Sequence, residues 1–281
     1  MTQATILILF LGLPFWGGQA AAQTSPQSSP QSSAQSSPQK SPQKLGQKSG
    51  QSLFESDQKH YQQCMAQARI HPAKALNDAN TWRGAGGGLP SRHCRLAPLM
   101  KLGRYGEAAE GFAKLAKDVE KDLNLKIRLY IQGANAWFVA GQPEQAEKMS
   151  ALILGLDPEN SNALLIKAKA FGMLGKFWDA AEQLTRLLYA EPNNTNILIL
   201  RGSAYRQMGA KDLALTDFDR VISLDANNVE ALLERGLIHF QNKNLQKARQ
   251  DWQALVKMNP DDPIRQFAEK YLQKLDAAQK N

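Results

Sequence analysis

In the C-terminal half of the chain, hydrophobic positions follow a helical pattern that repeats every 34 residues. Within one unit, Ser161 to Asn194, apolar residues recur at steps of three and four over two stretches, Leu164 to Phe171 and Ala180 to Leu188. This spacing predicts two amphipathic α-helices. Gly175 predicts the end of the first helix and Pro192 the end of the second. Because neither helix can bury its apolar stripe alone, we expect the units to stack on one another.

Equivalent residues in successive units form columns 34 positions apart. The columns hold small residues, rings, turn glycines, alanines, bulky residues and prolines: Ala134, Ala168, Gly202 and Gly236; Trp137, Phe171, Tyr205 and His239; Gly141, Gly175 and Gly209; Ala146, Ala180, Ala214 and Ala248; Leu184, Phe218 and Trp252; and Pro158, Pro192 and Pro260. Three residues depart from these columns, namely Ser150, Ala226 and Lys243. The columns divide the segment into four units, 127–160, 161–194, 195–228 and 229–262.

This arrangement resembles the tetratricopeptide repeat family, whose signature is a small residue and a ring on the first helix, then Gly, Ala, a ring and Pro at a period of 34. The resemblance implies an all-α fold. It implies, more specifically, a right-handed α-solenoid of antiparallel helix pairs with a C-terminal capping helix. Ser150, Ala226 and Lys243 weaken the signature locally without changing the fold that it implies.

The flanking segments extend the repeat in a weaker form. Residues Gly103 to Ala116 reproduce the spacing of Gly, Ala and ring, with Ala108 lying 38 residues before Ala146. We therefore expect two degenerate helix pairs over 52–126. The amphipathic run that follows Pro260 predicts a capping helix and tail over 263–281.

The N-terminus has the features of an export signal. Residues 1–22 contain no charged side chain, and the apolar run Ala4 to Trp16 is too short to span a bilayer. An A-x-A site follows at Ala20 to Ala22, so we expect a signal peptide that is cleaved after Ala22. An uncleaved anchor and a misassigned start codon are the alternatives. Cleavage would place the protein in the periplasm or outside the cell, without a stable membrane span.

Residues 23–51 are rich in Gln, Ser and Pro, and such a segment has too little apolar surface to fold. It is expected to be a disordered tether. Its three lysines, Lys40, Lys44 and Lys48, could touch anionic envelope polymers, whereas a slipped tetrapeptide repeat without a specific role is the simpler explanation.

Charge and motifs argue against several classes of function. With 34 Lys and Arg against 26 Asp and Glu, the excess is too small to indicate a nucleic-acid binder. Acidic residues are scattered over predicted solvent faces, and no catalytic motif recurs. Gly84 to Gly88 lacks the Lys-Ser or Lys-Thr of a phosphate-binding loop and is expected to be a turn. We therefore expect no enzyme, no catalytic residue, no cofactor and no metal.

The two cysteines leave three possibilities open. An exported compartment favours a disulfide between Cys64 and Cys94, closing a loop of about 30 residues. Two buried free thiols are the second possibility. A zinc site with His60 and His93 is the third, although its usual closely spaced ligand pairs are absent.

In proteins of this family, the first helices of successive units line a concave groove that binds a peptide or a partner segment. The resemblance places the following residues on that face: Ile131, Asn135, Phe138, Val139, Leu165, Lys169, Met173, Ile199, Ser203, Arg206, Gln207, Leu233, Phe240 and Gln241. The set contains Lys169 and Arg206 but no acid, which favours a ligand that carries a carboxylate. Ordinary packing or solvated positions are the alternative for any single residue.

These features together predict a non-catalytic interaction scaffold of a bacterial cell envelope that binds a protein or peptide partner. Two alternatives remain, an accessory or regulator of a cell-wall or outer-membrane assembly enzyme, and an envelope-polymer binder that uses the basic tether, residues 23–51. Nucleic acid is not an expected partner.

Overall fold

A computed structural model describes residues 47–258 and 263–278 of the chain. The expected signal peptide, the tether as far as residue 46, and Pro260 lie outside the described residues. The first described helix begins at Gln47, five residues before the expected boundary at 52.

The regular secondary structure of the described residues is α-helical throughout, which confirms the all-α class. The helices are α1 Gln47–Ile70, α2 Pro72–Gly84, α3 Gly88–Lys101, α4 Tyr105–Asp118, α5 Leu123–Val139, α6 Pro143–Leu156, α7 Ser161–Met173, α8 Phe177–Ala190, α9 Thr195–Gln207, α10 Lys211–Leu224, α11 Val229–Gln241, α12 Leu245–Met258 and α13 Pro263–Ala278. None of those in the described part of the chain is both long enough and apolar enough to cross a bilayer.

The chain falls into two compact units that divide between Pro98 and Leu99. In the C-terminal unit each helix from α4 to α13 packs against the next, and first helices also contact each other, α5 with α7 and α9 with α11. This consecutive packing of helix pairs is an α-solenoid. One apolar cluster runs from Leu164 to Ile238 through three repeats, so the repeats share a core.

The column of small residues on the first helices lets the paired helices approach closely. A Cβ atom added at Gly202 would lie 3.0 Å from the Phe218 ring, and one added at Gly236 would meet the Trp252 indole. In both repeats a bulky ring on the second helix takes the place that a side chain on the first helix would need. The glycine and the ring are therefore a matched pair.

A repeated asparagine cap fixes where the first helices begin. Asn160, Asn194 and Asn228 lie 34 residues apart, and each side-chain Oδ1 accepts the backbone N–H three residues later, at 3.0 to 3.3 Å. An N-cap of this kind contributes about 1 kcal/mol to helix stability. The sequence indicated only a turn near Asn193 and Asn194.

Two arginines on first helices each pair with a buried aspartate of their own repeat and also bond to the preceding repeat. Arg201 on α9 donates to both carboxylate oxygens of Asp217, at 2.9 and 2.7 Å, and to Thr185 Oγ1 of the preceding repeat, at 3.1 Å. Arg235 on α11 repeats the arrangement with Asp251 and Asp219. The expectation that acidic residues lie on solvent faces is wrong for Asp217 and Asp251, which are buried.

The capping helix α13 packs against α11 and α12. Its Tyr271 stacks on Trp252, with ring centroids 4.9 Å apart and an interplanar angle of 28°. Ala268 and Leu275 of α13 are buried in the same cluster. The helix therefore covers the apolar face of the last repeat.

In the N-terminal unit, α1 packs on α2 and a disulfide joins Cys64 to Cys94, whose Cα atoms are 6.3 Å apart. Both sulfurs are used by this bond, so neither is free to bind zinc. The hydroxyl of Tyr61 lies 2.8 Å from His93 Nδ1. The expected glycine turn lies between the end of α2 at Gly84 and the start of α3 at Gly88.

The departure at Lys243 has a conformational cost. Gly141, Gly175 and Gly209 adopt φ values of 70°, 73° and 78° between their paired helices, and Lys243 has a φ of 59° at the equivalent position. A residue with a Cβ atom is strained in this left-handed region, whereas glycine is not.

We expect Lys243→Gly to raise the free energy of unfolding by about 0.5–1 kcal/mol, because relief of the strain outweighs the greater freedom of glycine in the unfolded chain. Urea unfolding followed by circular dichroism measures the change. As the matched control, Gly175→Ala should lower stability by about 1 kcal/mol. Loss of stability in Lys243→Gly would contradict the strain argument.

Candidate binding groove

The residues expected to line a groove lie on the four first helices α5, α7, α9 and α11. Contacts between α5 and α7 and between α9 and α11 bring equivalent positions of neighbouring repeats onto one face. We call this face the first-helix surface. Its members differ widely in how far solvent and ligands can reach them.

On α5 the surface is open. The side chain of Asn135 is exposed and Val139 is 57% exposed, whereas Ile131 and Phe138 are half-buried. This end of the surface therefore combines accessible apolar groups with an exposed amide.

On α7 the half-buried side chains of Leu165, Lys169 and Met173 follow one another at four-residue steps, so they form a stripe along one helix face. Burial lowers the pKa of the Lys169 ammonium group from its ordinary value of 10.5. Within the described residues, no hydrogen bond or ion pair joins that ammonium group to an acceptor. Lys169 is thus a partly desolvated cation without a protein counter-ion in this part of the chain.

On α9 two expected groove residues are buried, which corrects their assignment. Ile199 is 4% exposed and belongs to the shared core, and Ser203 is 3% exposed. The reason is that α9 packs against α8, α10 and α11 together. Ser203 Oγ is the one buried side-chain polar atom without a hydrogen-bond partner in the described residues.

Arg206 on α9 is also not the available cation that the sequence predicted. Its guanidinium forms an ion pair with Glu234 of α11, whose side chain is 1% exposed. Burial raises the pKa of the Glu234 carboxyl, and the neighbouring Arg206 opposes that rise. The pair therefore neutralises the surface here and links two repeats.

Sequence reasoning missed Glu234 because it stands one position outside the expected groove set. A signal was present, since its column otherwise contains Gln132, Ile166 and Leu200, and a charged residue in a largely apolar column suggests a buried partner. Arg206 and Glu234 lie 28 residues apart, six short of the period, so the pair does not follow from equivalent positions in neighbouring repeats.

On α11 the expected groove residues Leu233 and Phe240 pack against the apolar cluster of the last repeat and capping helix. The Phe240 ring lies 5.8 Å from Trp252 and 6.2 Å from Tyr271 between centroids. Gln241 is exposed and Gln207 of α9 is half-buried. The accessible part of the first-helix surface is therefore concentrated on α5 and α7.

Comparisons with known proteins support the same fold. A family model described as "Tetratricopeptide repeat" matches residues 165–229 and 199–263. No curated protein matches the sequence.

Solved structures give likenesses of fold at low identity. The crystal structure of MamA is 17% identical, covers 58% of this chain and 92% of its own, and has a TM-score of 0.52. A 41-end form of MamA from Desulfovibrio magneticus RS-1 is 15% identical over 66% of this chain and 97% of its own, with a TM-score of 0.54.

YrrB, described as a TPR protein with an unusual peptide-binding site, is 18% identical over 68% of this chain and 96% of its own, with a TM-score of 0.52. At these identities the structures speak for the fold alone. Within residues 165–263, the matched family model agrees with the 34-residue columns and the stacked helix pairs, so this part of the chain consists of tetratricopeptide repeats.

Proposed function

We propose that this chain is a non-catalytic protein–protein interaction scaffold that binds a peptide or partner segment on the α5 and α7 part of the first-helix surface. The observation that carries the proposal is Lys169, a half-buried cation whose pKa is lowered by burial and which lacks a counter-ion among the described residues. The fold supports it, since one protein of similar fold is described as having a peptide-binding site.

The ligand is a segment with at least one carboxylate. An exposed ion pair contributes below about 1 kcal/mol, but a charge-assisted hydrogen bond in a partly desolvated site contributes about 1.5–3 kcal/mol. Lys169 lies between the half-buried apolar side chains Leu165 and Met173 on one helix face, so a bound carboxylate would be partly shielded from water.

We expect Lys169→Ala to abolish or weaken partner capture at least tenfold, because it removes the charge-assisted bond. Pull-down from the envelope fraction, followed by titration of the recovered partner, measures this. Since burial lowers the Lys169 pKa, wild-type binding should weaken as pH rises, beginning below 10.5. Lys169→Arg keeps its charge at that pH and should retain binding.

Arg206→Ala provides the contrast. It should lower the free energy of unfolding by about 3–5 kcal/mol, because it leaves the buried Glu234 carboxyl without its partner. Unchanged capture by Lys169→Ala, with circular dichroism confirming the fold, would contradict binding on α7.

We also propose that the scaffold works in the periplasm or outside the cell after export. The disulfide between Cys64 and Cys94 supports this, because such bonds persist in oxidising compartments. The protein would then serve either as a general envelope scaffold or as an accessory of a cell-wall or outer-membrane assembly enzyme.

Mass spectrometry of the protein from its native host should give Gln23 as the N-terminal residue, and non-reducing peptide mapping should recover a peptide pair linked through Cys64 and Cys94. Intact Met1 in a cytoplasmic pool with two alkylatable thiols would contradict the export proposal.

A second candidate function is binding of an anionic envelope polymer. Residues 57–98 carry six Lys or Arg against two Asp or Glu, and Lys59, Arg69, Lys74 and Arg83 are exposed. The N-terminal unit therefore adds to the positive charge of the tether.

Retention on immobilised heparin, used as an anionic polysaccharide, tests this candidate. We expect Lys59→Glu with Lys74→Glu to lower the eluting salt concentration because it reverses charge in the basic unit. The matched control is Lys117→Glu with Lys148→Glu, which makes the same charge change at exposed positions of the repeats. An equal effect in both variants would contradict a specific role of the N-terminal unit.

A further inference from the structure

An apolar cluster lies where the repeats 161–194 and 195–228 meet, beside the turns between their paired helices. It consists of Met173, Phe177, Trp178, Tyr205 and Met208, and we call it the edge cluster. Four of its members are half-buried around Ala181 and Ala204. Trp178 is 66% exposed and meets Tyr205 edge-on, with centroids 6.5 Å apart at 72°.

The repeat itself indicates that the fold does not require these side chains. One period later the five equivalent positions are polar or charged: Gln207, Lys211, Asp212, His239 and Asn242. That junction also packs, through α10 and α11, and its Lys211 Nζ donates to Asn242 Oδ1 at 2.9 Å. The edge cluster is therefore apolar at positions where the next junction of the same solenoid is polar.

The junction before the edge cluster differs from it most at the position of Trp178. Its equivalent residues are Val139, Pro143, Glu144, Phe171 and Leu174, so apolar character begins there, but an acid occupies the place of Trp178. Asp212 occupies it in the following junction. An acid in the first turn of a helix is favoured by the helix dipole, and α8 carries its first-turn acid one position later, at Asp179.

Contiguous exposed groups of this composition are typical of binding surfaces. A tryptophan side chain can bury roughly 150–250 Å², and exposed methionines adapt their shape to varied partners. Single exposed apolar residues are ordinary, whereas a patch of adjoining ones marks an interaction site.

The edge cluster continues the first-helix surface. Met173 belongs to both, and it lies four residues after Lys169, which is a rise of about 6 Å along α7. Lys169, a partly desolvated cation, thus lies one helical turn from the edge cluster, whose Trp178 is exposed. A segment that combines a carboxylate with a bulky apolar side chain would complement both, the carboxylate pairing with Lys169 and the apolar side chain packing on the edge cluster.

We propose that the edge cluster is a second anchor site for the segment bound on α7. The segment pairs a carboxylate with Lys169 and places a Leu, Met or Phe side chain against Trp178, Met173 and Met208. This inference rests on the proposed function and adds to it the ligand's apolar determinant. An extended segment of three to six residues spans about 10–20 Å, at roughly 3.3 Å for each residue, and this is the range of spacings to be tested.

The test uses the whole chain and a defined panel of peptides. Fluorescein-labelled dodecapeptides of Gly and Ala carry one Asp and one Leu separated by three to six residues, with matched peptides in which Asp becomes Asn or Leu becomes Ser. Fluorescence anisotropy measures the affinities. The protein variants are Lys169→Ala, Trp178→Asp and Met208→Asn, the last two introducing residues that the next repeat carries at the same positions.

We expect Trp178→Asp and Met208→Asn each to weaken the best Asp–Leu peptide about tenfold and to change the Leu→Ser peptide less than twofold. Lys169→Ala should weaken both peptides. Asn242→Ser, at the polar junction, should change neither and serves as the matched control. Circular dichroism checks that each variant is folded.

Two outcomes would overturn the inference in different ways. If Lys169→Ala weakens binding but Trp178→Asp does not, the second anchor fails and the proposed function stands. If no peptide of the panel binds the wild-type protein, both fail. Light scattering on the same samples tests whether the edge cluster binds a second copy of the chain instead. A wild-type dimer that dissociates in Trp178→Asp would show this.

Discussion

Stacking of one helix pair on the next is the interaction on which this structure depends. Each pair has an apolar stripe too wide to be covered by its own two helices, and the cluster from Leu164 to Ile238 closes only when three repeats contribute to it. The last repeat meets the same requirement through α13, whose Tyr271 stacks on Trp252. Stability in this part of the chain is therefore a property of junctions between repeats.

Ion pairs between helices link particular junctions, and they determine which charged side chains remain available for binding. Arg201 and Arg235 each join two second helices, and Arg206 with Glu234 joins two first helices. Removing one partner of such a pair leaves a buried charge, so these residues are fixed by the fold. Lys169 differs because its desolvation is not balanced by an acid in the described residues. That imbalance is what makes α7 the candidate binding helix.

Three of the four expected unit boundaries coincide with the start of a helix, whereas the boundary at 127 falls within α5, which begins at Leu123. The unit boundaries at 161, 195 and 229 are the first residues of α7, α9 and α11, because the asparagine caps recur with the period. The sequence also predicted which residues share a helix face. It could not predict how tightly neighbouring helices close over that face, which depends on side chains from several repeats at once. Ile199 and Ser203 are buried for this reason, and Phe240 is covered by a helix far along the chain.

The proposed partner binds on α5 and α7, the two first helices with the most accessible side chains. Site-specific photo-crosslinking in the native host tests this binding most directly, with the photoreactive residue at exposed Asn135 on α5 or at exposed Lys148 on α6 of the same repeat. Neither position disturbs Lys169. Binding on the first helices predicts a discrete cross-linked protein from position 135 and none from position 148. A cross-link from position 148 alone, or equal yields from both, would contradict it.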